Sequence, residues 1–212
     1  AYKNSKGEEE YIRAYVKALY NYKTDNIKVA KNEAYKSITL KEDYYKVYLI
    51  LSDIMNSEAN NKASESYLRE ALEKKPYSYK TLLKIENFYS NVLVDEVNSR
   101  YYLDMAISIK KEDSNLYYKL VKLDLSIENY EDAIINLEKA ISLDPENGNY
   151  YRTLGAIQFE LENYEEGIEN TRYAYKLNEN DVLALNNAAI FYVNVDRDVY
   201  RAYDNITSAF ED

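Results

Sequence analysis

The sequence predicts an all-α fold, a right-handed α-solenoid of about six helix-turn-helix repeats. Three observations lead to this fold class: the chain has only 4 Gly and 2 Pro, similar segments recur every 34 or 35 residues, and small residues recur at fixed places in each interval. A protein built of many short strands needs more turn residues than this chain contains. Helices joined by short turns fit the composition better.

The recurrence is clearest in the second half of the chain. Residues 129–133 read Asn-Tyr-Glu-Asp-Ala, and residues 163–167, 34 positions later, read Asn-Tyr-Glu-Glu-Gly. Tyr117 and Tyr151 match at the same offset. A fixed period of this length is the signature of a repeat architecture in which each unit is one supersecondary motif.

Three columns of residues follow the repeat along the chain. The first column is small throughout: Ser37, Ala71, Ala106, Ala140, Ala174 and Ala209. The second is also small: Ala30, Ser64, Ser99, Ala133, Gly167 and Ala202. The third lies between them: Ala34, Leu68, Leu103, Leu137, Thr171 and Ile206. Offsets of three, four and seven residues place the columns on one helix face, which we expect to be a packing seam between helices.

The columns divide the chain into a polar N-terminal tail, residues 1–10, and a single solenoid, residues 11–212. The predicted repeats are 11–44, 45–78, 79–113, 114–147, 148–181 and 182–212. The third repeat needs one extra residue near 92–97, and the sixth needs one near 195–198. Pro76 and Pro145 each follow a predicted second helix, where proline ends a helix because it lacks an amide donor.

These columns resemble the tetratricopeptide repeat (TPR) family, whose unit of 34 residues forms two antiparallel helices. The fifth repeat carries the family's pattern at Tyr151, Leu154, Gly155, Tyr164, Gly167 and Ala174. The fourth repeat carries it at Tyr117, Leu120, Tyr130, Ala133, Leu137, Ala140 and Pro145. The resemblance implies a superhelix with a concave surface, lined by the first helix of each repeat, where members of the family bind their partners.

The same resemblance implies where a ligand would lie, because the family's groove residues occupy the fifth and ninth positions of each first helix. The candidate peptide-binding residues are Asn87, Tyr118, Lys122, Arg152 and Asn186. Lys122 and Arg152 could donate to a carboxylate, and the two amides could pair with a peptide backbone. The alternative is that these residues only form a solvated helix face. The clamp that family members use for chaperone tails is not reproduced.

Composition restricts the chemistry that the chain can perform. The absence of His and Cys excludes thiolate nucleophiles, serine-histidine triads and zinc sites built on imidazole or thiolate, and there is no Gly-rich phosphate loop. We therefore expect no enzyme activity, no cofactor and no metal. The net charge of -10 disfavours nucleic acid as a partner, and apolar runs such as residues 47–51 are far too short to span a membrane.

The sequence thus favours a protein-protein interaction scaffold that binds a peptide or protein segment in the groove. Two alternatives stay open: a self-assembly module that forms homo-oligomers through an uncapped last repeat, and a helper domain of a larger enzyme or secretion machine. The chain begins with Ala1 rather than Met, which indicates a processed or trimmed N-terminus. The cytoplasm is the favoured compartment, with export or a lipid anchor as alternatives.

Overall fold

The protein is built of α-helices joined by short turns. The structure is a computed structural model that describes the backbone of residues 2–210 and the side chains of residues 9–208, and this part of the chain contains no β-strand. The helices are α1 (Tyr2–Lys23), α2 (Ile27–Leu40), α3 (Tyr45–Ser57), α4 (Asn61–Lys74), α5 (Tyr79–Phe88), α6 (Glu96–Ile109), α7 (Ser114–Ser126), α8 (Tyr130–Leu143), α9 (Gly148–Glu160), α10 (Tyr164–Leu177), α11 (Val182–Asn194) and α12 (Val199–Phe210).

The chain divides into two compact units, residues 1–110 and residues 111–212, which we call unit 1 and unit 2. Each unit contains three helical hairpins: α1–α2, α3–α4 and α5–α6 in unit 1, and α7–α8, α9–α10 and α11–α12 in unit 2. Within a unit, the second helix of one hairpin packs against the first helix of the next. This succession of packed hairpins confirms the predicted all-α solenoid of helix-turn-helix repeats.

The hairpins begin where the sequence places the repeats, with one difference at the N-terminus. Helices α3, α5, α7, α9 and α11 start at the first residues of the second to sixth predicted repeats. Helix α1 starts at Tyr2, so the first helix includes residues 2–10, the polar segment that the sequence places before the first repeat. This segment contains no proline that would stop a helix, and Lys and Glu are good helix formers.

The turn inside each hairpin has a constant backbone signature. One residue in each turn has a positive φ, and none of the six is glycine: Asp25, Ala59, Val94, Glu128, Glu162 and Arg197. A residue in this left-handed region reverses the chain after a helix, at a cost of about 1 kcal/mol for a side chain other than glycine. The low glycine content is therefore compatible with six tight turns.

The two extra residues inferred from the sequence lie at irregular turns. In the third hairpin, α5 continues into a π-helix at Tyr89–Leu93, which widens one helical turn. In the sixth hairpin, residues 195–198 separate α11 from α12, one residue more than in the turn between α9 and α10. Both extra residues lie before the second helix of their hairpin begins, so the packing columns on the second helices keep their register.

Burial confirms the predicted packing seam. All the small residues of the first two columns that the structure describes are buried, as are the members of the third column from Ala34 to Thr171. Ile206 is an exception: it is exposed, because no described helix packs after α12 as α11 packs after α10. The side chain of Ala209 lies outside the described residues. Helices α4 and α8 end at Lys74 and Leu143, shortly before the two prolines, as expected.

Candidate functional site

Four of the five predicted site residues lie on the first helices of unit 2. Tyr118 and Lys122 are on α7, Arg152 is on α9 and Asn186 is on α11. We call the solvent-accessible side of α7, α9 and α11 that carries these residues the first-helix face of unit 2. Helix α9 packs against α8 and α10, and α11 packs against α10 and α12, so the backbone under this face is fixed by the packing within the unit.

Tyr118 connects the first two helices of the face. Its hydroxyl lies 2.9 Å from the Oγ1 atom of Thr153 on α9, and its ring lies 5.0 Å from the ring of the buried Tyr150. Thr153 also donates to the backbone carbonyl of Asn149 at 2.8 Å. These contacts leave the Tyr118 ring in a defined position, half-buried against the neighbouring hairpin.

Lys122 is the accessible cation of the face. It lies one turn after Tyr118 on α7, and its Nζ atom is 5.1 Å from the centre of the Tyr118 ring. Lys122 is exposed and forms no ion pair with any described residue. The ring face attracts the ammonium group weakly at such an exposed site, by about 0.5–1 kcal/mol, and so orients it without neutralising it. Lys122 can therefore donate to a carboxylate or carbonyl of a ligand.

Arg152 has an intramolecular partner that the sequence did not reveal. Its Nη1 atom donates to both carboxylate oxygens of Asp181, at 2.7 and 2.6 Å. The Asp181 side chain is only 4% exposed and the Arg152 side chain 20%. Asp181 is the N-cap of α11 and also accepts from the backbone amides of Leu183 and Ala184. Arg152 thus ties α9 to the start of α11, and its charge is balanced before any ligand arrives.

Asn186 lies in the middle of an apolar stripe on α11. Leu183, Ile190 and Val193 are each about half exposed, and with Asn186 they follow helical offsets of three, four and three residues. The Asn186 amide is exposed and has no hydrogen-bond partner among the described residues. Leu183 and Val193 were not among the predicted site residues, although their spacing from Asn186 was a signal that could have identified them.

Asn87, the fifth predicted residue, belongs to unit 1. It is exposed on α5, and its Oδ1 atom accepts from the Nδ2 atom of Asn91 one turn later at 2.8 Å. The adjacent cation on this helix, Lys84, is paired with Asp53 of α3 through both carboxylate oxygens. Asn87 is therefore not part of the first-helix face of unit 2.

The two units carry very different charge. Residues 1–110 contain 18 Lys and Arg against 16 Asp and Glu, a net charge of +2, whereas residues 111–212 contain 9 against 21, a net charge of -12. The total charge of -10 does not reveal this division. Lys122 therefore lies on a strongly acidic unit, whose net charge would repel a strongly acidic ligand.

Other parts of the described chain offer less for recognition. Two open clefts of about 350 and 310 Å³ lie on unit 1, one along α4 beside Tyr67 and one between Arg69 and Tyr102. No group of three or more His, Cys, Asp or Glu side chains among the described residues is arranged to hold a metal ion. None of the helices that the structure describes combines the length and apolar character needed to cross a membrane.

Solved structures with similar folds include several tetratricopeptide repeat proteins. A tetratricopeptide repeat protein from Parabacteroides merdae is 14% identical, with a TM-score of 0.77 over 96% of this chain and 80% of its own. MamA from Desulfovibrio magneticus RS-1 is 20% identical, with a TM-score of 0.67 over 79% and 93% of the two chains. YrrB, a TPR protein with an unusual peptide-binding site, is 16% identical, with a TM-score of 0.63 over 84% and 91%.

No protein-family model matches the sequence, and no curated protein matches it in sequence. The relationship is therefore carried by the fold: paired helices with buried small-residue columns, one left-handed residue in each hairpin turn, and superposition on the solved repeat proteins over most of the chain. The resemblance seen in the sequence is confirmed at this level, and the protein has the tetratricopeptide repeat fold.

Proposed function

We propose that the protein is an interaction module whose first-helix face in unit 2 binds a short peptide or protein segment. The observation that carries this proposal is the exposed apolar stripe of α11, which contains the unpaired Asn186 amide and lies on the same face as the unpaired Lys122. Apolar side chains of a ligand would contact Leu183, Ile190 and Val193. Asn186 would pair with the ligand backbone.

The charges of the face define the class of ligand more narrowly. Since Asp181 neutralises Arg152, two adjacent cations are not available to grip a pair of carboxylates. Lys122 can take one carboxylate or several carbonyl oxygens, while the charge of -12 on the unit opposes a polyanion. The ligand that fits best is a mostly apolar segment with a single acidic group. The same charge argues against nucleic acid as a partner of this unit.

Binding rather than catalysis fits the chemistry of the face. Its accessible groups are a lysine over an aromatic ring, an amide and aliphatic side chains, and none of them is a nucleophile activated by a neighbouring base. YrrB, which shares the fold, is described as having a peptide-binding site. These two points support the proposal that the chain acts as a scaffold without enzyme activity.

The experiment selects ligands from a displayed library of random peptides on the immobilised protein and measures the affinity of a selected peptide for three variants. Lys122→Ala, Asn186→Ala and Ile190→Ser each remove one contact of the face without touching the packing columns. We expect each to weaken binding by about tenfold, equivalent to about 1.4 kcal/mol. Arg152 is left unchanged, because its loss would disturb the start of α11.

Matched controls come from the second helices of the same unit. Lys176→Ala on α10 and Ile135→Ser on α8 change an exposed lysine and an exposed isoleucine outside the face. Both should leave the affinity within about twofold. Equal binding by all five variants, or a library that yields no specific peptide, would contradict the proposed site.

A further inference from the structure

Exposed apolar side chains lie at and just after the inner turns of the first two hairpins of unit 2. Ile127, in the turn between α7 and α8, is 54% exposed, and Leu161, in the turn between α9 and α10, is 40% exposed. Ile135 on α8 is 57% exposed, and Tyr164 at the start of α10 is 37% exposed. Since the two hairpins pack side by side through α8 and α9, both turns lie at one edge of the unit.

The fold does not require apolar residues at these positions. In the α3–α4 hairpin of unit 1, Glu58 occupies the position of both Ile127 and Leu161, and Ser66 occupies that of Ile135. Both polar residues are exposed, and their hairpin packs through the same small-residue columns. The apolar residues of unit 2 are therefore not explained by packing, and a group of exposed large apolar side chains marks an interaction surface.

Carboxylates surround these apolar side chains. Residues 127–138 contain four Asp and Glu, residues 160–169 contain five, and neither segment contains Lys or Arg. We call the two segments together the turn edge of unit 2. All nine acidic residues are exposed, and none forms an ion pair with a residue that the structure describes. The corresponding segment of the α3–α4 hairpin, residues 58–69, contains two acidic and two basic residues and has no net charge.

Helix stability accounts for only part of this charge. Four of the nine acidic residues lie in the first turn of α8 or α10, where they stabilise the positive end of the helix dipole. In contrast, Glu160 is the last residue of α9, where a carboxylate is unfavourable. Glu128 and Glu162 occupy the left-handed positions of the two turns, which glycine and asparagine prefer. These three glutamates add charge to the turn edge without stabilising the helices beside them.

We propose that the turn edge of unit 2 docks a basic amphipathic segment of a second protein. Lys and Arg side chains of the segment pair with the carboxylates, and its apolar side chains contact Ile127, Ile135 and Leu161. The charge selects this occupant, because an apolar or acidic segment would cover the carboxylates without pairing them. The surface is separate from the first-helix face of unit 2, which lies on α7, α9 and α11 and carries Lys122 as its accessible cation.

The test selects ligands for the whole 212-residue chain from a displayed library of short peptides that mix Lys or Arg with apolar residues. Fluorescence anisotropy then measures the affinity of a selected peptide for two variants of the turn edge. The acidic variant carries Glu128→Gln, Glu162→Gln and Glu165→Gln, and should bind at least about tenfold more weakly. The apolar variant carries Ile127→Ser and Leu161→Ser, and should bind at least about fivefold more weakly.

Matched controls change the same kinds of residue elsewhere on unit 2. Glu112→Gln, Glu146→Gln and Glu179→Gln together remove three exposed carboxylates outside the turn edge, and Val182→Ser with Tyr175→Ser removes two exposed apolar side chains. Each control should keep the affinity within about twofold, because salt screens charges that lie away from the contact. Equal weakening by the two triple glutamine variants would show that the peptide responds only to the net charge of the unit, and would overturn the proposal.

Three further results would overturn the proposal: a library that yields no specific peptide, an apolar variant that binds as the wild type does, or self-association of the wild type that the acidic variant abolishes. The last result would assign the turn edge to a second copy of the chain. Asn186→Ala should leave this affinity unchanged while weakening a ligand of the first-helix face, so the two proposed sites can fail separately.

Circular dichroism checks that the variants keep their helix content, which we expect because every substituted side chain is exposed. If a multiple variant loses helix content, the single changes Glu162→Gln and Leu161→Ser replace it. Each should still weaken binding by at least about twofold. Unchanged affinity in both single variants would then contradict the proposed docking surface.

Discussion

The α3–α4 hairpin of unit 1 and the α9–α10 hairpin of unit 2 occupy the same place in their units but cross differently. In unit 1 the helices meet at Ser52 and Ser64, whose hydroxyls lie 3.0 Å apart in a buried hydrogen bond. In unit 2 the same positions are Gly155 and Gly167. A Cβ atom on Gly155 would lie 2.8 Å from the carbonyl oxygen of Gly167, so α9 and α10 are too close for a side chain there.

The contacts between the second and third hairpins also differ between the two units. In unit 1, Tyr89 donates to Glu65 at 2.7 Å and accepts from Arg69 at 2.8 Å, so an ionic network joins α4 to the π-helix. In unit 2 the position of Glu65 is taken by Ile168, and Arg172 donates to the Tyr192 hydroxyl at 2.7 Å.

The buried ion pair of unit 2 has no counterpart at the equivalent positions of unit 1. Arg152 and Asp181 occupy the positions of Leu49 and Ser78 in unit 1, and Ser78 caps its helix without a cationic partner. The comparison teaches that the apolar columns define the hairpin packing, while the polar groups that join neighbouring hairpins can move between positions. The surface that remains for binding changes with them, and four changes to single residues test this view.

The largest expected effect follows from Arg152→Ala. The change leaves the nearly buried carboxylate of Asp181 with only backbone donors, and breaking such a pair costs about 3 kcal/mol of the free energy of unfolding. Urea denaturation followed by circular dichroism measures it. Lys122→Ala, on the same face but without an ion pair, should change stability by less than about 0.5 kcal/mol. An equal effect of the two substitutions would show that the tie between α9 and α11 is unimportant.

Gly155→Ser, which introduces the residue of unit 1 into unit 2, should cost about 2 kcal/mol. The new Cβ atom would lie 2.5 Å from the Oγ1 atom of Thr171 on α10 and close to the backbone of the same helix, so α9 and α10 must separate. Thermal unfolding gives the difference directly. Ala156→Ser, at the next position of α9, controls for the helix propensity of serine. If both variants unfold at the same temperature, the close crossing of α9 and α10 is not a feature of the protein in solution.

Glu65→Gln should lower stability by about 1.5 kcal/mol at neutral pH, because it replaces charge-assisted hydrogen bonds to Tyr89 and Arg69. The hydrogen bond from Tyr89, followed by the bond and charge of Arg69, lowers the pKa of Glu65 below its ordinary value of 4.5. The carboxylate therefore stabilises the fold above that pH, and the stabilisation is lost as the pH falls through the folded pKa.

The measurement for Glu65→Gln is the free energy of unfolding at pH 7 and at about pH 3. The difference between wild type and variant should be larger at pH 7. Glu73→Gln, at an exposed carboxylate on the same helix, should show little difference at either pH. A Glu65 variant whose deficit is the same at both pH values would contradict the ionic network.

The smallest effect expected is a gain from Thr171→Val. Thr171 is buried in the third column, where unit 1 has Leu68, and its Oγ1 atom has no hydrogen-bond partner in the structure. Replacing the hydroxyl by a methyl group of similar size should stabilise unit 2 by about 1 kcal/mol. Thr39→Val, at an exposed site, serves as the control for thermal unfolding. A loss of stability would mean that the hydroxyl is bonded in solution.

The sequence predicted the parts of this fold that depend on spacing. The columns through Ala140 and Ala174 identified the buried face, and the extra residues of the third and sixth repeats coincide with the π-helix and the longer turn. These features recur in every repeat, so the spacing found in one repeat predicts the same feature in the others. Ile206 was expected to be buried by the same rule and is exposed, because burial there depends on a following helix.

The candidate site could be predicted only in part. The first helices and the positions of Lys122 and Asn186 follow from the repeat, but the pairing of Arg152 does not. Arg152 meets Asp181 because α9 lies beside the start of α11, a lateral contact between residues 29 positions apart that neither residue's place in the repeat reveals. The uneven charge of the two units, in contrast, was present in the sequence and needed only to be counted by unit.

The most direct test of the proposed function is a nuclear magnetic resonance titration of the labelled protein with a peptide selected on it. Binding at the first-helix face of unit 2 predicts that the largest amide shifts occur on α7, α9 and α11, around Lys122, Asn186 and Ile190. They should be weak or absent in unit 1. Shifts concentrated on α8, α10 and α12, or in unit 1, would show that the protein binds peptides elsewhere and would contradict the proposed function.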